Sequence, residues 1–534
     1  MDNNTFIKMY GEYLRDESRQ VGNAESIAFP KTEAEIISTV KEMSRKDIQI
    51  TTQGARTGLA ASAVPYKGHI INLSKMNKVT GARYDEEKDS FFLTVQPGVL
   101  LSELRKYISN KSFNANNWDE QSVNALKYME KNQWFYSTDP TETSASMGGI
   151  ASCNASGAKS YRYGSAREHI TGLRVVLADG DVLNIKRGQY IADGDSKFHI
   201  ATESGREIKG QLPKYKMPDV RKNTSGYYNM PGMDMIDLFI GSDGTLGIIS
   251  EIEIELSKTQ KVNWGVTIFM PDEDKAVDLV RALRQEITVD NINLELNPSA
   301  IEFFSHNALC MLRDQQKTNA AFSNIQEIKD IYHTAVYIEI ESDSNDEVWT
   351  EIEKLGDVIN GLGGNEDETW VAYNPANLEK LHYFRHACPE CVNMQIDNIK
   401  KTDNRITKLG TDMSVPDNKL KDAMKMYNEG IEENNLTAVI FGHIGNNHLH
   451  VNIIPQNMSE YKKGKELFLT WAGKIAAMGG AVSAEHGVGK LKVPFLKKMY
   501  NEEELNEMRK LKKLFDPAQI FNRGTIFEFE EDVK

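Results

Sequence analysis

The chain has 534 residues, 63 Lys plus Arg against 77 Asp plus Glu, a net charge of −14 and four cysteines. Single cores stop growing at about 250–300 residues, so this length calls for more than one domain. An apolar fraction of 40% with 26% charged residues excludes a disordered or fibrous chain; the acidic balance argues against nucleic acid as a partner, and so few cysteines exclude a disulfide scaffold or a full set of iron–sulfur clusters.

In chain order, the first thirty residues read as an amphipathic helical lead-in ending at Phe29-Pro30, polar and mixed in charge, unlike a signal or transit peptide. Thr32, followed by Glu33 and Glu35, opens a helix through Ile36, Ile37, Val40 and Met43, spaced for one buried face. Ile48 to Thr52 predicts a strand running into a glycine-bearing loop. His69 to Leu73 and Phe91 to Val95 predict two more strands, and Leu100 to Ile108 a helix. Residues 110–135 are polar and Asn-rich and predict a surface insertion. Strands are expected at 170–177, 182–185 and 248–256, the first two joined by a hairpin at Asp179-Gly180, whereas 186–235 carries little pattern. After Ser257, helices (273–285, 348–361) alternate with strands (266–269, 335–340), an α+β signature that places a boundary near 258. No apolar run approaches the roughly 18 residues that span a bilayer, and the expected location is cytoplasmic, with peripheral membrane attachment compatible.

Three small-residue tracts stand in the β-rich part: Gln53–Ala63, Met147–Gly157 and Gly241–Gly247. Small side chains let backbone N–H groups approach phosphate oxygens closely. The first tract alone reads equally well as a plain turn. It is not G-x-G-x-x-G and no helix follows it, which argues against a nicotinamide cofactor. Together the tracts predict one long, pyrophosphate-bearing ligand held between sheets.

These tracts, with Pro97-Gly98, Tyr163-Gly164, Ala178-Asp179-Gly180, Gly226-Tyr227 and Phe515-Asp516-Pro517, resemble the flavin-binding fold of the vanillyl-alcohol oxidase (PCMH) superfamily. More narrowly, they resemble its group of D-lactate dehydrogenases, D-2-hydroxyglutarate dehydrogenases and glycolate oxidase flavin subunits, over about residues 25–530. The resemblance implies an α+β fold: a two-subdomain FAD-binding domain over 1–257, an inserted ferredoxin-like cap over 258–455, and a C-terminal segment, 456–534, that returns to the FAD domain. The flavin contacts it implies are Gly54, Ala55, Arg56, Thr57, Gly58, Leu59, Pro140, Ser144, Met147, Gly148, Ala151, Asn154, Ser156, Gly157, Tyr163, Gly164, Gly244, Gly247, Ile248 and Asn522. Arg56 stands where relatives usually carry Gly, either as an ionic partner for the pyrophosphate or as a change of loop shape. No histidine stands in the first tract, where covalently flavinylated relatives carry theirs, so noncovalent FAD is implied.

Three of the eleven histidines fall in Gly442-His443-Ile-Gly-Asn-Asn-His448-Leu-His450-Val-Asn452. With Asn446 and Asn447 as a two-residue hairpin turn, His443 and His450 would oppose each other directly, about 4.5–5.5 Å apart at Cβ, and His448 and Asn452 would share their face. Such a face suits a metal, or equally a solvated polar strand. Ser483-Ala-Glu485-His486-Gly487 offers a carboxylate beside a fourth histidine. The resemblance implies His443, His450 and Glu485 as ligands of a divalent ion (Zn, Mn or Fe(II) by donor type) and His486 as catalytic base. The usual family turn is Gly-Asp-Gly-Asn; here it is Gly445-Asn446-Asn447-His448, losing a carboxylate and gaining an imidazole.

A 2-hydroxy acid needs a cation for its carboxylate. The resemblance implies Arg385 and Lys408, with Asn452 beside them, though either cation alone reads as a solvated surface charge. Cys388-Pro-Glu-Cys391 lacks the second pair a zinc site needs and reads as incidental, and Cys153 and Cys310 read as buried small hydrophobes. The expected activity is FAD-dependent oxidation of a D-2-hydroxy acid, D-lactate favoured, with electrons passed to an external quinone, cytochrome, electron-transfer flavoprotein, iron–sulfur protein or oxygen. A homodimer and a subunit of a larger complex are both compatible. Two other readings keep the fold: a non-redox synthase of the alkylglycerone-phosphate type, against which the 443/450 spacing and Glu485-His486 argue, and an electron-transfer subunit without its own turnover.

Overall fold

A small parallel sheet near the N-terminus fixes where the glycine-bearing loop emerges. In the computed structural model, which describes residues 3–528, Thr32 is extended and accepts a hydrogen bond from Glu35 N. It caps the helix Glu33–Arg45, whose Ile36, Val40 and Met43 are buried as their spacing requires. That helix carries the chain from strand Ser26–Ala28 to strand Ile50–Gln53, and both pair in parallel with the central strand His69–Asn72.

A second, antiparallel sheet runs in the order 79–85, 90–95, 248–258, 170–176, 182–186. Its hairpin at Asp179-Gly180 uses Gly180 at φ 76°, a conformation that costs glycine little. The two sheets share a core that includes Ile36, Val40, Ile71, Val176, Ile248, Ile520 and Phe521. A third sheet of eight strands is built wholly from residues 262–453, in the order 370–372, 262–270, 334–342, 298–304, 438–442, 448–453, 409–410, with 413–414 also on 448–453. Helices cover both its faces: Glu273–Leu283 and Asn345–Gly361 on one, His306–Thr318 and Pro375–Lys400 on the other. No described helix is long and apolar enough to cross a membrane.

Two segments depart from expectation. Residues 110–135 are more than a surface insertion: Asp119 caps a helix, Glu120–Met129, that buries Ala125 and Met129, and Trp134–Phe135 then joins the second sheet. Its buried face is short and built partly of Ser122 and Ala125, so little apolar periodicity marks it. Likewise 186–235 contains an antiparallel hairpin, Lys197–Ala201 with Glu207–Gln211, which buries Phe198, Ile200 and Ile208 between charged neighbours. Cys153 and Cys310 are only half-buried, and Cys153 Sγ lies 3.7 Å from Asp243 Oδ1. Cys388 and Cys391 are buried in the apolar layer beneath the third sheet.

The final segment closes the first sheet: Ile50 N donates to Ile520 O at 2.7 Å, and Asn522 N to Ile50 O at 2.8 Å. Phe515-Asp516-Pro517 is the pivot. Asp516, wholly buried, accepts from Ile520 N and Phe521 N and pairs with Lys512 Nζ at 2.9 Å. Lys512 Nζ also donates to Thr245 O, tying helix Glu502–Phe515 to the third small-residue tract. Removing one partner of a buried pair strands the other charge. Lys512→Met should therefore lower unfolding free energy by about 3–5 kcal/mol in chemical denaturation; a change within experimental error would show that the pair does not hold this segment.

Candidate active site

The three small-residue tracts come together edge to edge. Ala55 N donates to Ser146 Oγ, just before helix Met147–Cys153. Gly241 N donates to Ala151 O, and Asp243 N to Ser152 O. Asp243 in turn accepts from Val488 N and Gly489 N, which brings the Glu485-His486 loop against the same wall. Gly489, at φ 52°, packs so closely that an added Cβ would lie 2.0 Å from Ala60 O. Along the first tract, the N–H groups of Arg56, Thr57, Gly58 and Leu59 donate to no other described residue. A run of free amides in a loop of small residues fits a pyrophosphate.

Not every expected flavin contact faces this trough. Arg56 takes φ 62°, where relatives usually place Gly, and its guanidinium lies over Tyr13 at 4.4 Å and 3.4 Å from Glu12. Its effect is therefore on loop shape. Asn154, at φ 50°, ends helix Met147–Cys153 and spends its Oδ1 on Ser165 Oγ and Arg167 N. Asn522 bridges Thr52 N and Asp243 O. Gly247 and Ile248 lie in the core beside Val175 and Val176. Gly148 packs on Pro97, and Gly244 against the Asn522 amide. Ser156 Oγ donates to Glu485, Pro140 lines the cavity described below, and Tyr163 OH donates to Glu341 across the seam with the third sheet, just before Gly164 at φ 81°.

The hairpin forms in a register different from the expected one. Phe441 faces His450 and Val439 faces Asn452, so the strands end at Gly442 and His448 with five residues between them. His443 lies beyond the strand end, followed by a single 3₁₀ turn and by Asn447 at φ 52°. The loop is longer because Asn447 is pinned: Arg284 donates to its Oδ1, and its Nδ2 donates to Asp417 at 2.6 Å. His443 still reaches His450, with ring centres 5.6 Å apart, and His448 lies 4.5 Å from His450.

Glu485 is the hub. His443 Nε2 and His450 Nε2 each lie 3.5 Å from its Oε1, and His486 Nε2 lies 3.6 Å away. Lys222 Nζ at 2.9 Å and Ser156 Oγ at 3.1 Å meet its Oε2. Ligand atoms of His443, His448, His450 and Glu485 all fall within 4.8 Å of one another, and a second group, Asp412, Glu485 and His486, does the same. The backs of the rings are held too. His443 Nδ1 meets Glu302 Oε1 at 2.7 Å, and His450 Nδ1 donates to Thr411 O at 3.0 Å. Asp412 accepts from the backbone N–H groups of Glu485 and His486 and pairs with Lys492. Burial pushes His448 down to about 3 and His486 down to about 4, whereas Glu302 outweighs burial and holds His443 up at about 9.

Arg385, half-buried on helix Pro375–Lys400, turns toward two carboxylates: its Nε is 3.6 Å from Glu302 and its Nη1 3.8 Å from Glu339. It also lines a cavity of about 410 Å³ between the first domain and the third sheet, with Arg105, Lys159, Asp139, His382 and His386. Lys408 is exposed and pairs with no described carboxylate. Asn452 is buried opposite Gly410 in the same sheet. Sequence reasoning missed Lys222, Asp412 and Glu302 as members of the site. Glu302 left a trace, a lone carboxylate in the apolar strand Pro298–Phe304; Lys222 and Asp412 left none, because only tertiary contacts recruit them.

Comparison with known proteins places both halves of the chain in known domain families. The profile of FAD linked oxidases, C-terminal domain, matches residues 260–526, and that of the FAD binding domain matches 24–119 and 120–186. A D-lactate dehydrogenase of Anaerostipes hadrus is 27% identical over 96% of this chain and 92% of its own length. A D-2-hydroxyglutarate dehydrogenase of Stutzerimonas stutzeri is 24% identical over 96% and 94%. Among solved structures, 4-ethylphenol oxidase from Gulosibacter chungangensis shares the fold, with a TM-score of 0.63 and 15% identity over 99% of this chain and 94% of that one.

Gly489 is where the two halves of the wall meet. Gly489→Val should push Ala60 and the free-amide loop outward and lower the fraction of purified protein carrying FAD, read as the ratio of flavin to protein absorbance. Full occupancy in that variant would separate the Glu485 loop from cofactor binding.

Proposed function

This chain belongs to the FAD-linked oxidases, and from that premise we propose that it oxidises a D-2-hydroxy acid, D-lactate first among them, with a divalent metal at the histidine cluster. The observation that carries the reading is the convergence of imidazoles on Glu485 at the seam of the first domain, the third sheet and the C-terminal segment. The donors fit such an ion: His448, wholly buried, has neither ring nitrogen in a well-aligned hydrogen bond, and imidazole with carboxylate suits Zn, Mn or Fe(II). His443, His450 and Glu485 would hold it. When bound, the ion supplies Lewis acidity toward the substrate hydroxyl and FAD supplies the hydride acceptor.

The chain's own groups do the rest. Arg385 lies between cavity and cluster, and Glu302 and Glu339 hold it in one orientation, so its remaining N–H groups can receive the substrate carboxylate. His486 is more exposed than His443, His448 or His450. It takes the hydroxyl proton at Nε2, while Asp412, 3.5 Å from Nδ1, favours the tautomer that leaves Nε2 free. Lys222, which also donates to Gly157 O in the second small-residue tract, balances the Glu485 charge. Reoxidation of bound FAD would need an electron acceptor outside this chain.

Anaerobic mixing with D-lactate should bleach the oxidised-flavin band; a flavin that stays oxidised across a panel of D-2-hydroxy acids would refute the substrate class. Metal removal, verified by elemental analysis, should abolish the bleaching, and undiminished bleaching would take the metal out of the reading. His486→Ala should slow flavin reduction by about 10²–10⁴-fold with FAD retained, whereas near-normal turnover would assign the proton to another group.

A further inference from the structure

We propose that His448 is a direct ligand of the same ion, so that this chain holds it with three imidazoles and one carboxylate instead of two imidazoles and one carboxylate. The inference rests on the metal reading given above and goes beyond it. Two imidazoles and the carboxylate are what the family resemblance implies; the third stands where the family turn usually carries Asn.

The inner nitrogens of the three rings converge on one carboxylate. Each has one nitrogen turned toward an outer acceptor: His443 Nδ1 toward Glu302 at 2.7 Å, His450 Nδ1 toward Thr411 O at 3.0 Å, and His448 Nε2 toward Asp412 Oδ1 at 3.1 Å. Each has its other nitrogen turned toward Glu485, at 3.5, 3.5 and 3.8 Å in the same order. An outer acceptor that fixes ring and tautomer while the inner nitrogen faces the ion is the usual arrangement around a metal-ligating histidine; His443 and His450 have that hydrogen bond, and His448 Nε2 has Asp412 within reach but out of hydrogen-bond alignment. Two donors that share an ion at about 2.0–2.2 Å are themselves no more than about 4.4 Å apart, and the four donor atoms here lie within 4.8 Å of one another, so small side-chain adjustments suffice.

The purely structural explanation for His448 is weaker. It is wholly buried, and its inner nitrogen Nδ1 has no hydrogen-bond partner among the described residues. Leaving a buried acceptor unsatisfied costs about 1–3 kcal/mol, and Asn, with a shorter side chain, could serve the same turn. Asp412 is well anchored by Lys492 and two backbone N–H groups without His448. Four protein donors saturate a tetrahedral ion, so an open position for substrate then requires an ion that takes five or six ligands, such as Mn(II) or Fe(II).

The test uses the FAD-loaded protein, stripped with chelator and reloaded with Mn(II). Pulsed EPR of the wild type should count three ligating imidazoles, and His448→Asn should show two, with Mn(II) bound at least about 100-fold more weakly, beyond what outer partners usually contribute. Two imidazoles in the wild type, with unchanged affinity in His448→Asn, would overturn the inference and leave the two-histidine site standing. If neither wild type nor His448→Asn binds Mn(II), Zn(II) or Fe(II) while both retain FAD, the metal reading itself falls, and this inference with it. The wild-type count needs no variant, so a misfolded substitution cannot obscure the result.

Discussion

The central constraint is a carboxylate that the fold takes out of water. Glu485 is 8% exposed, and a buried carboxylate without compensation costs several kcal/mol even after relaxation. Every element around it responds to that charge. Lys222 comes from the first domain, Ser156 from the second small-residue tract, and His443, His448 and His450 from the third sheet. No one of these segments could compensate it alone, so the site exists only where all three structural units meet.

The same logic extends outward as a chain of alternating charge. Glu302 links His443 to Arg385; Arg385 reaches Glu339; and Lys159 joins Glu339 and Glu341, with Arg162 and Tyr163 also on Glu341. These contacts cross from the third sheet to the helical part of the FAD-binding half. Buried ion pairs of this kind contribute little net stability compared with apolar packing. What they supply is registry: they fix how the cavity, the flavin trough and the histidine cluster face one another.

Much of this was legible in the sequence, for physical reasons that can be named. Local rules carried the helix at 33–45, with its cap and apolar spacing, and the Asp179-Gly180 hairpin, whose turn chemistry leaves few alternatives. The small-residue tracts and the family resemblance they carry pointed to the candidate site, whereas the histidine spacing alone gave a two-residue turn that the structure replaces with a five-residue loop. The failures were of two kinds. Helix Glu120–Met129 and the hairpin at 197–211 bury only a few residues each, so their periodicity was lost among polar neighbours. The hairpin register was missed because Arg284 and Asp417, distant in sequence, hold Asn447 and lengthen the loop. Lys222 and Asp412 were invisible for the same reason: their roles come from neighbours 263 and 73 residues away.

Anomalous diffraction from crystals of the FAD-bound, Mn(II)-loaded protein would test the Glu485 site most directly. The expected result is one manganese peak within coordination distance of His443 Nε2, His448 Nδ1, His450 Nε2 and a Glu485 oxygen. An empty cluster at full FAD occupancy, or a peak held by Asp412 and His486 instead, would contradict it.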